Sequence, residues 1–222
     1  MLPWKTIERV KTPEGVLELR QRSERDFLIT IAGRVLMTST AHRSEDKLAE
    51  LSCAALTGRP HPRILIGGLG MGFTLRSALD RLPALAKVTV VDLNAQVVAW
   101  NRGPLGMLTQ GACDDARVKV VVADVAQVIA QTPANHFDAI VFDLYEGPHA
   151  TLNRHRDPLY GNEALERTWR ALRPDGMFAV WSEERDQPFE ARLAAAGFLA
   201  HRQSGGKGGR IHVIYTATRQ EK

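Results

Sequence analysis

Four glycines, Gly67, Gly68, Gly70 and Gly72, and four acids, Asp92, Asp124, Asp143 and Glu146, are the residues of this chain best placed by type and spacing to do chemistry. The glycines sit in RILIGGLGMGFTLR, residues 63 to 76, where an apolar run stops at a turn and a helix-like sequence follows. Ile64, Leu65 and Ile66 read as a strand buried on both faces, and the glycines after it let a ligand approach the backbone closely. Open amides at the start of the helix after Gly72 would add a local positive field. A turn of this kind suits a nucleotide-like ligand, although a plain strand-to-helix turn uses the same residue types.

The acids sort by where they fall. Asp92 closes VTVVDL 20 residues past Gly72, the distance at which a carboxylate accepts hydrogen bonds from both hydroxyls of a ribose. Asn94 follows on the ligand side, better placed than Asp92 to cap the next helix. Asp124 ends VKVVVAD, where it would accept from an adenine amino group or cap a helix. Asp143 and Glu146 stand three apart in FDLYEGP and suit a cationic substrate or a general base for an amine, with a solvated acidic loop as the plain alternative. Tyr145 and Tyr160 are candidates to stack on an adenine or a cation, or simply to pack.

Strands and helices must alternate to bring these residues together. From residue 63 onward, apolar runs at 63–66, 88–93, 118–124, 137–144 and 177–182 are separated by helical patterns, which predicts five parallel strands covered on both faces. The end differs: FLAHRQ, the glycine-rich SGGKGG and RIHVIYTA predict an antiparallel hairpin. The fold class expected is α/β, a Rossmann-like sheet whose closing hairpin suits a class I methyltransferase better than a dinucleotide dehydrogenase. Ahead of it, residues 15 to 38 alternate apolar and polar in three short runs and read as a small antiparallel β-element, followed by a helix over residues 45–57. The division expected is 1–43 for the β-element and 44–222 for the ligand-binding domain. The loop at 147–161 has no apolar periodicity, as either a lid or an ordinary surface loop would.

Composition narrows the classes. With 44% hydrophobic residues in 222, the chain can bury one substantial core, and it has no apolar run of the roughly 18 residues a membrane span needs. Its charged first 15 residues do not resemble a signal peptide, so a cytoplasmic location is expected. Two cysteines, Cys53 and Cys113, are read as free thiols, and seven histidines without ligand spacing argue against a metal. The net charge of +4 is gathered at the end, where six basic residues from Arg192 onward face Glu221 alone. A solvated basic edge explains this better than nucleic-acid binding.

The series ILIGGLGMG, VVDLN, VVVADV, FDAIVFDLYEGP and LYGNEALERTWRALRPDGMFAVW resembles the spermidine synthase superfamily, the polyamine aminopropyltransferases and their methyltransferase-like relatives. The similarity runs from about Leu17 to Ala217 and includes the Ser44-Glu45 that opens the first helix. It implies a ligand of the S-adenosylmethionine type, with Gly67, Gly68, Gly70 and Gly72 as its turn, Asp92 on the ribose, Asp124 on the adenine and Asp143 near the reacting amine. Relatives often form dimers, although Trp4, Trp100, Trp169 and Trp181 suit core packing better than an interface.

Two departures from the family pattern carry weight. Aminopropyltransferases place an aspartate within the glycine turn, where it grips the amine of decarboxylated S-adenosylmethionine; Gly70 stands there in this chain. An aspartate would repel the carboxylate of intact S-adenosylmethionine by about 4 kcal/mol at 4 Å in a surface-like dielectric. Its absence leads to the expectation of an S-adenosylmethionine-dependent methyltransferase acting on a small, nitrogenous acceptor. The alternatives are a polyamine aminopropyltransferase using the decarboxylated donor and a non-catalytic nucleoside- or RNA-binding protein. The second departure is Asp143-Leu144-Tyr145-Glu146-Gly147 where the family has Asp-Ser-Ser-Asp-Pro, so bulky apolar residues replace serines beside the acids.

Overall fold

In the computed structural model, which describes residues 2–145, 147–148, 155–204 and 212–221, two sheets share one core. The first is an antiparallel sheet of β1 (Lys5–Thr12), β2 (Gly15–Ser23), β3 (Asp26–Ile31) and β4 (Arg34–Thr38), in that spatial order. Its last hairpin turns on Ala32 and Gly33, both at positive φ (46° and 79°). Two such residues make the turn whose twist matches that of the flanking strands. Three of these strands coincide with the alternating runs of the sequence; β1 is additional.

The chain then runs through α1 (Arg43–Ala54), β5 (Arg63–Gly67), α2 (Phe73–Leu79), β6 (Lys87–Asp92), α3 (Ala95–Arg102), β7 (Val118–Val122), α4 (Val125–Gln131) and β8 (Phe137–Phe142). It closes with α5 (Asn162–Ala171), β9 (Leu172–Ser182), α6 (Gln187–Ala195), β10 (Phe198–Ser204) and β11 (Val213–Arg219). The second sheet has the order β10-β11-β9-β8-β5-β6-β7, with β5 to β9 parallel and the β10–β11 hairpin antiparallel. This is the expected arrangement. Most of the glycine-rich segment expected to join β10 and β11 lies outside the described residues.

The central strands are apolar on both faces because both are covered. Ile64 and Ile66 of β5 point into the core shared with the N-terminal sheet, α1, α2 and α3, whereas Leu65 faces α4, α5 and α6. In β8, Ala139 and Val141 face the first core, and Ile140 and Phe142 the second. Leu17, Leu19, Phe27, Ile29 and Ile31 of β2 and β3 belong to the first core too, so the N-terminal sheet is bonded to the α/β body by buried apolar surface. Cys53 and Cys113 are free and buried, which raises both thiols to about 11.

One acid interrupts this core. Asp138 of β8, 1% exposed, pairs with Arg59 and Arg173 and accepts the amide of Arg63 at 2.8 Å. It marks the amino end of the sheet. At the opposite end, register aligns Gly67 with Val91 and Phe142, and Asp92 with Val122, so the polar residues after β5, β6, β7 and β8 emerge along one edge. Strand order reverses between β5 and β8, which is where open sheets of this kind bind ligands.

The basic end of the chain is not a solvated edge throughout. Arg192 is 5% exposed and donates Nε to the carbonyl of Tyr160 at 3.1 Å, and Arg219 lies over the Trp169 ring at 3.8 Å. Among the described residues no helix is long and apolar enough to cross a membrane.

Candidate active site

The turn after β5 is held by its own backbone and by Asp92. Gly68 donates its amide to the carbonyl of Val91 at 2.8 Å, and Asp143 donates to that of Gly67 at 2.9 Å, so the ends of three strands are tied together. Gly68 (φ +90°) faces the main chain of Asp143 so closely that a Cβ there would lie 2.2 Å from its carbonyl oxygen. Only glycine fits.

Asp92 is the organiser of this turn. Its Oδ2 accepts the amide of Leu69 at 2.9 Å and its Oδ1 accepts that of Asn94 at 2.8 Å, and the nearby Gly70 amide also favours the anion. Burial raises its pKa while these donors oppose the rise. A carboxylate offers about four acceptor directions, so the two bonded amides leave room for further donors such as the hydroxyls of a ribose. Asn94 begins α3 but makes no side-chain cap; Asp92 serves the amide of Asn94 instead. Asp124 caps α4, accepting the amide of Ala126 at 2.8 Å.

Above the turn lies a cavity of about 300 Å³. It gathers Gly68, Gly70, Asp92, Asn94, Asp124, Asp143 and Tyr145 from the residues singled out in the sequence. Gly67 and Gly72 shape the turn without lining the cavity. Gly67 is backed by Val125 and Phe142, and Gly72 (φ +81°) starts α2 beside Asn101. α2 is seven residues long and opens directly from this turn. Tyr160 is elsewhere: 3% exposed, it packs edge-on against Phe142 and Phe189 in the second core and does not line the cavity. Glu146 and residues 149–154 of the 147–161 loop lie outside the described residues.

The remaining walls were not foreseen. Leu17, Ile29, Ile31, Leu36 and Met37 of the N-terminal sheet form an apolar flank, Trp181 closes another side, and Glu14 and Glu45 add two carboxylates. Glu45 sits in the first turn of α1 and accepts the hydroxyl of Ser44 at 2.6 Å. Its charge acts on Asp143. Burial first and Glu45 second push the Asp143 carboxyl up to about 7, against the hydroxyl of Thr74, which donates to Asp143 Oδ2 at 2.6 Å.

The cavity therefore presents carboxylates from Glu14, Glu45, Asp92, Asp124 and Asp143, and no lysine or arginine is among its described lining residues. Such a wall favours a ligand carrying more than one positive charge and disfavours a free carboxylate.

Comparison with known proteins agrees with this polarity. The model of the spermine/spermidine synthase domain matches residues 48–191. Polyamine aminopropyltransferase 1 of Streptomyces coelicolor is 36% identical over 130 residues, which are 58% of this chain and 23% of that protein. Polyamine aminopropyltransferase 1 of Hyperthermus butylicus is 36% identical over 131 residues, 57% of this chain and 43% of that one. This chain covers less than half the length of both relatives. Spermidine synthase from Thermotoga maritima superposes with a TM-score of 0.77 at 19% identity, covering 98% of this chain and 74% of that structure, which shows a common fold.

The methyltransferase expectation drawn from Gly70 is overturned by these relatives, both named for aminopropyl transfer. The physical reason lies in the walls. Removing one acid from the turn leaves five others around the cavity, so the repulsion of a donor carboxylate is not lifted.

Proposed function

Because the chain belongs to the spermine/spermidine synthase domain family, we propose that it transfers an aminopropyl group from decarboxylated S-adenosylmethionine to a polyamine-type acceptor. The observation that carries this reading is the cavity lined by five carboxylates with no cationic side chain among its described residues. Its apolar flank of Leu17, Ile29, Ile31 and Leu36, with Glu14 also on the wall, suits a methylene chain that bears ammonium groups.

The donor's sulfonium supplies an activated carbon, so that one C–N bond forms as one C–S bond breaks and the sulfur leaves as a neutral thioether. The protein's part is to hold and to deprotonate. The glycine turn and Asp92 position the nucleoside, with Asp124 near its base. Alignment of the amine about 3 to 3.5 Å from the carbon provides much of the acceleration. The amine arrives protonated, since alkyl ammonium groups titrate at roughly 10. Asp143 accepts that proton, and a carboxyl raised to about 7 is a stronger base than an ordinary one. Thr74 holds its Oδ2 in place.

Calorimetric titration of the protein with the two donors tests the reading. Decarboxylated S-adenosylmethionine is expected to bind more tightly than the intact form; the reverse order overturns the proposal.

A further inference from the structure

The family's grip on the donor amine is missing at Gly70, and the space it would use is already filled. A Cβ placed on Gly70 would lie 2.8 Å from Met37 Sδ, and that sulfur also accepts the amide of Met71 at 3.2 Å. Met37 thus covers the floor of the turn with a neutral thioether from the N-terminal sheet. An acid at position 70 would have to displace it.

A replacement charge lies across the same cavity. Glu45 enters from the first turn of α1 and lines the cavity together with Gly70 and Asp143. Asp143 belongs to the donor side, because its main chain is bonded to Gly67 and packed on Gly68, and its side chain is held by Thr74 of α2. A cation between Glu45 and Asp143 therefore sits over the glycine turn, where the arm of a nucleoside bound there would reach. The hydroxyl of Ser44 on Glu45 Oε2 orients the carboxylate and leaves its other oxygen for a ligand.

We propose that Glu45 is the specificity-determining residue for the donor's terminal ammonium, taking over from the glycine turn a role that Met37 has closed there. This rests on the aminopropyl-donor reading above. It makes the donor's recognition a product of the contact between the N-terminal sheet, α1 and the α/β body, not of the turn alone.

The test is calorimetry on wild type and Glu45→Gln with two probes: decarboxylated S-adenosylmethionine, and 5′-methylthioadenosine, the same nucleoside without the aminopropyl arm. Losing one charged hydrogen bond should weaken the first probe about tenfold or more. Binding of the second should stay unchanged, which also certifies that the variant is folded. Adding Gly70→Asp and Met37→Ala to Glu45→Gln should restore binding of the first probe. Equal losses for both probes, or no loss for either, overturn the assignment while the donor reading stands. A wild-type protein that binds the arm-bearing probe no better than 5′-methylthioadenosine overturns both.

Discussion

Thr74 donates its hydroxyl to Asp143 across 2.6 Å, which joins the helix after the glycine turn to the carboxylate after β8. The bond favours the ionised carboxylate, whereas burial and the charge of Glu45 favour the protonated one, and the second pair prevails. The carboxyl is consequently pushed up to about 7, which suits the base proposed above.

The rate should follow that titration. In the free protein, kcat/KM is expected to rise with pH along an acidic limb centred near 7. Thr74→Val should move the limb upward, because it removes the donor that favours the anion; Glu45→Gln should move it downward, because it removes the opposing charge. Asp143→Asn should lower turnover by about 10²-fold or more. A pH–rate profile measures all three, and normal turnover in Asp143→Asn would remove Asp143 from the mechanism.

Stability should move the other way with pH. Asp143 holds its proton to a higher pH in the folded chain than in the unfolded one, so its favourable contribution is complete below pH ~4 and lost as pH rises through about 7. Asp143→Asn, neutral throughout, should therefore be more stable than wild type at pH 8 by roughly 1 to 3 kcal/mol. The two should converge near pH 4. Urea unfolding at both pH values is the measurement, and a constant difference between them would contradict the assigned titration.

Asp92 holds the glycine turn and also lines the cavity, whereas the sequence suggested a ligand-facing role alone. Asp92→Ala strands the amides of Leu69 and Asn94, at a cost of about 1 to 3 kcal/mol, and unties the turn on which the nucleoside would rest. Binding of 5′-methylthioadenosine should be lost with it. Asp92→Asn keeps one acceptor oxygen and should retain part of both. Thermal melts beside calorimetry on the two variants check this, and a fully stable Asp92→Ala that still fails to bind would leave only the ligand-facing duty.

Local chemistry made the skeleton of this site legible. The unbroken apolar run of β5, the glycines that end it and the acids ending the next strands are short-range signals, because strand burial and turn geometry act within a few residues. What spans the two sheets was not legible. Met37, Ile29 and Leu36 look like ordinary strand residues until β3 and β4 fold over the glycine turn, and Glu45 looks like a favourable acid in a helix's first turn. Strand β1 escaped notice because it lies on the outer edge of its sheet, mostly exposed, and shows no buried alternation. Tyr160 misled because a tyrosine in a loop can pack its ring as readily as present it. In β9, Pro174-Asp175-Gly176 lie in an irregularity between Leu172, paired with Phe137, and Met177, paired with Ala139, so the strand starts earlier than its apolar run.

The buried ion group at the amino end of the sheet supplies the last prediction. Asp138 is 1% exposed and answers Arg59, Arg173 and the amide of Arg63, so its charge is compensated from the segment before β5 and from β9. Replacing it with alanine leaves the Arg63 amide without its carboxylate and removes the anion from two arginines that are themselves about one-third exposed. Those arginines can turn toward water, which places the cost at the lower end of the range for breaking a buried pair, about 3 kcal/mol. Because Asp138 lies at the end of β8 opposite Asp143, folded Asp138→Ala should keep the wild-type affinity for 5′-methylthioadenosine while its unfolding midpoint falls. A variant that loses affinity at temperatures well below its midpoint would show instead that the two ends of β8 are coupled.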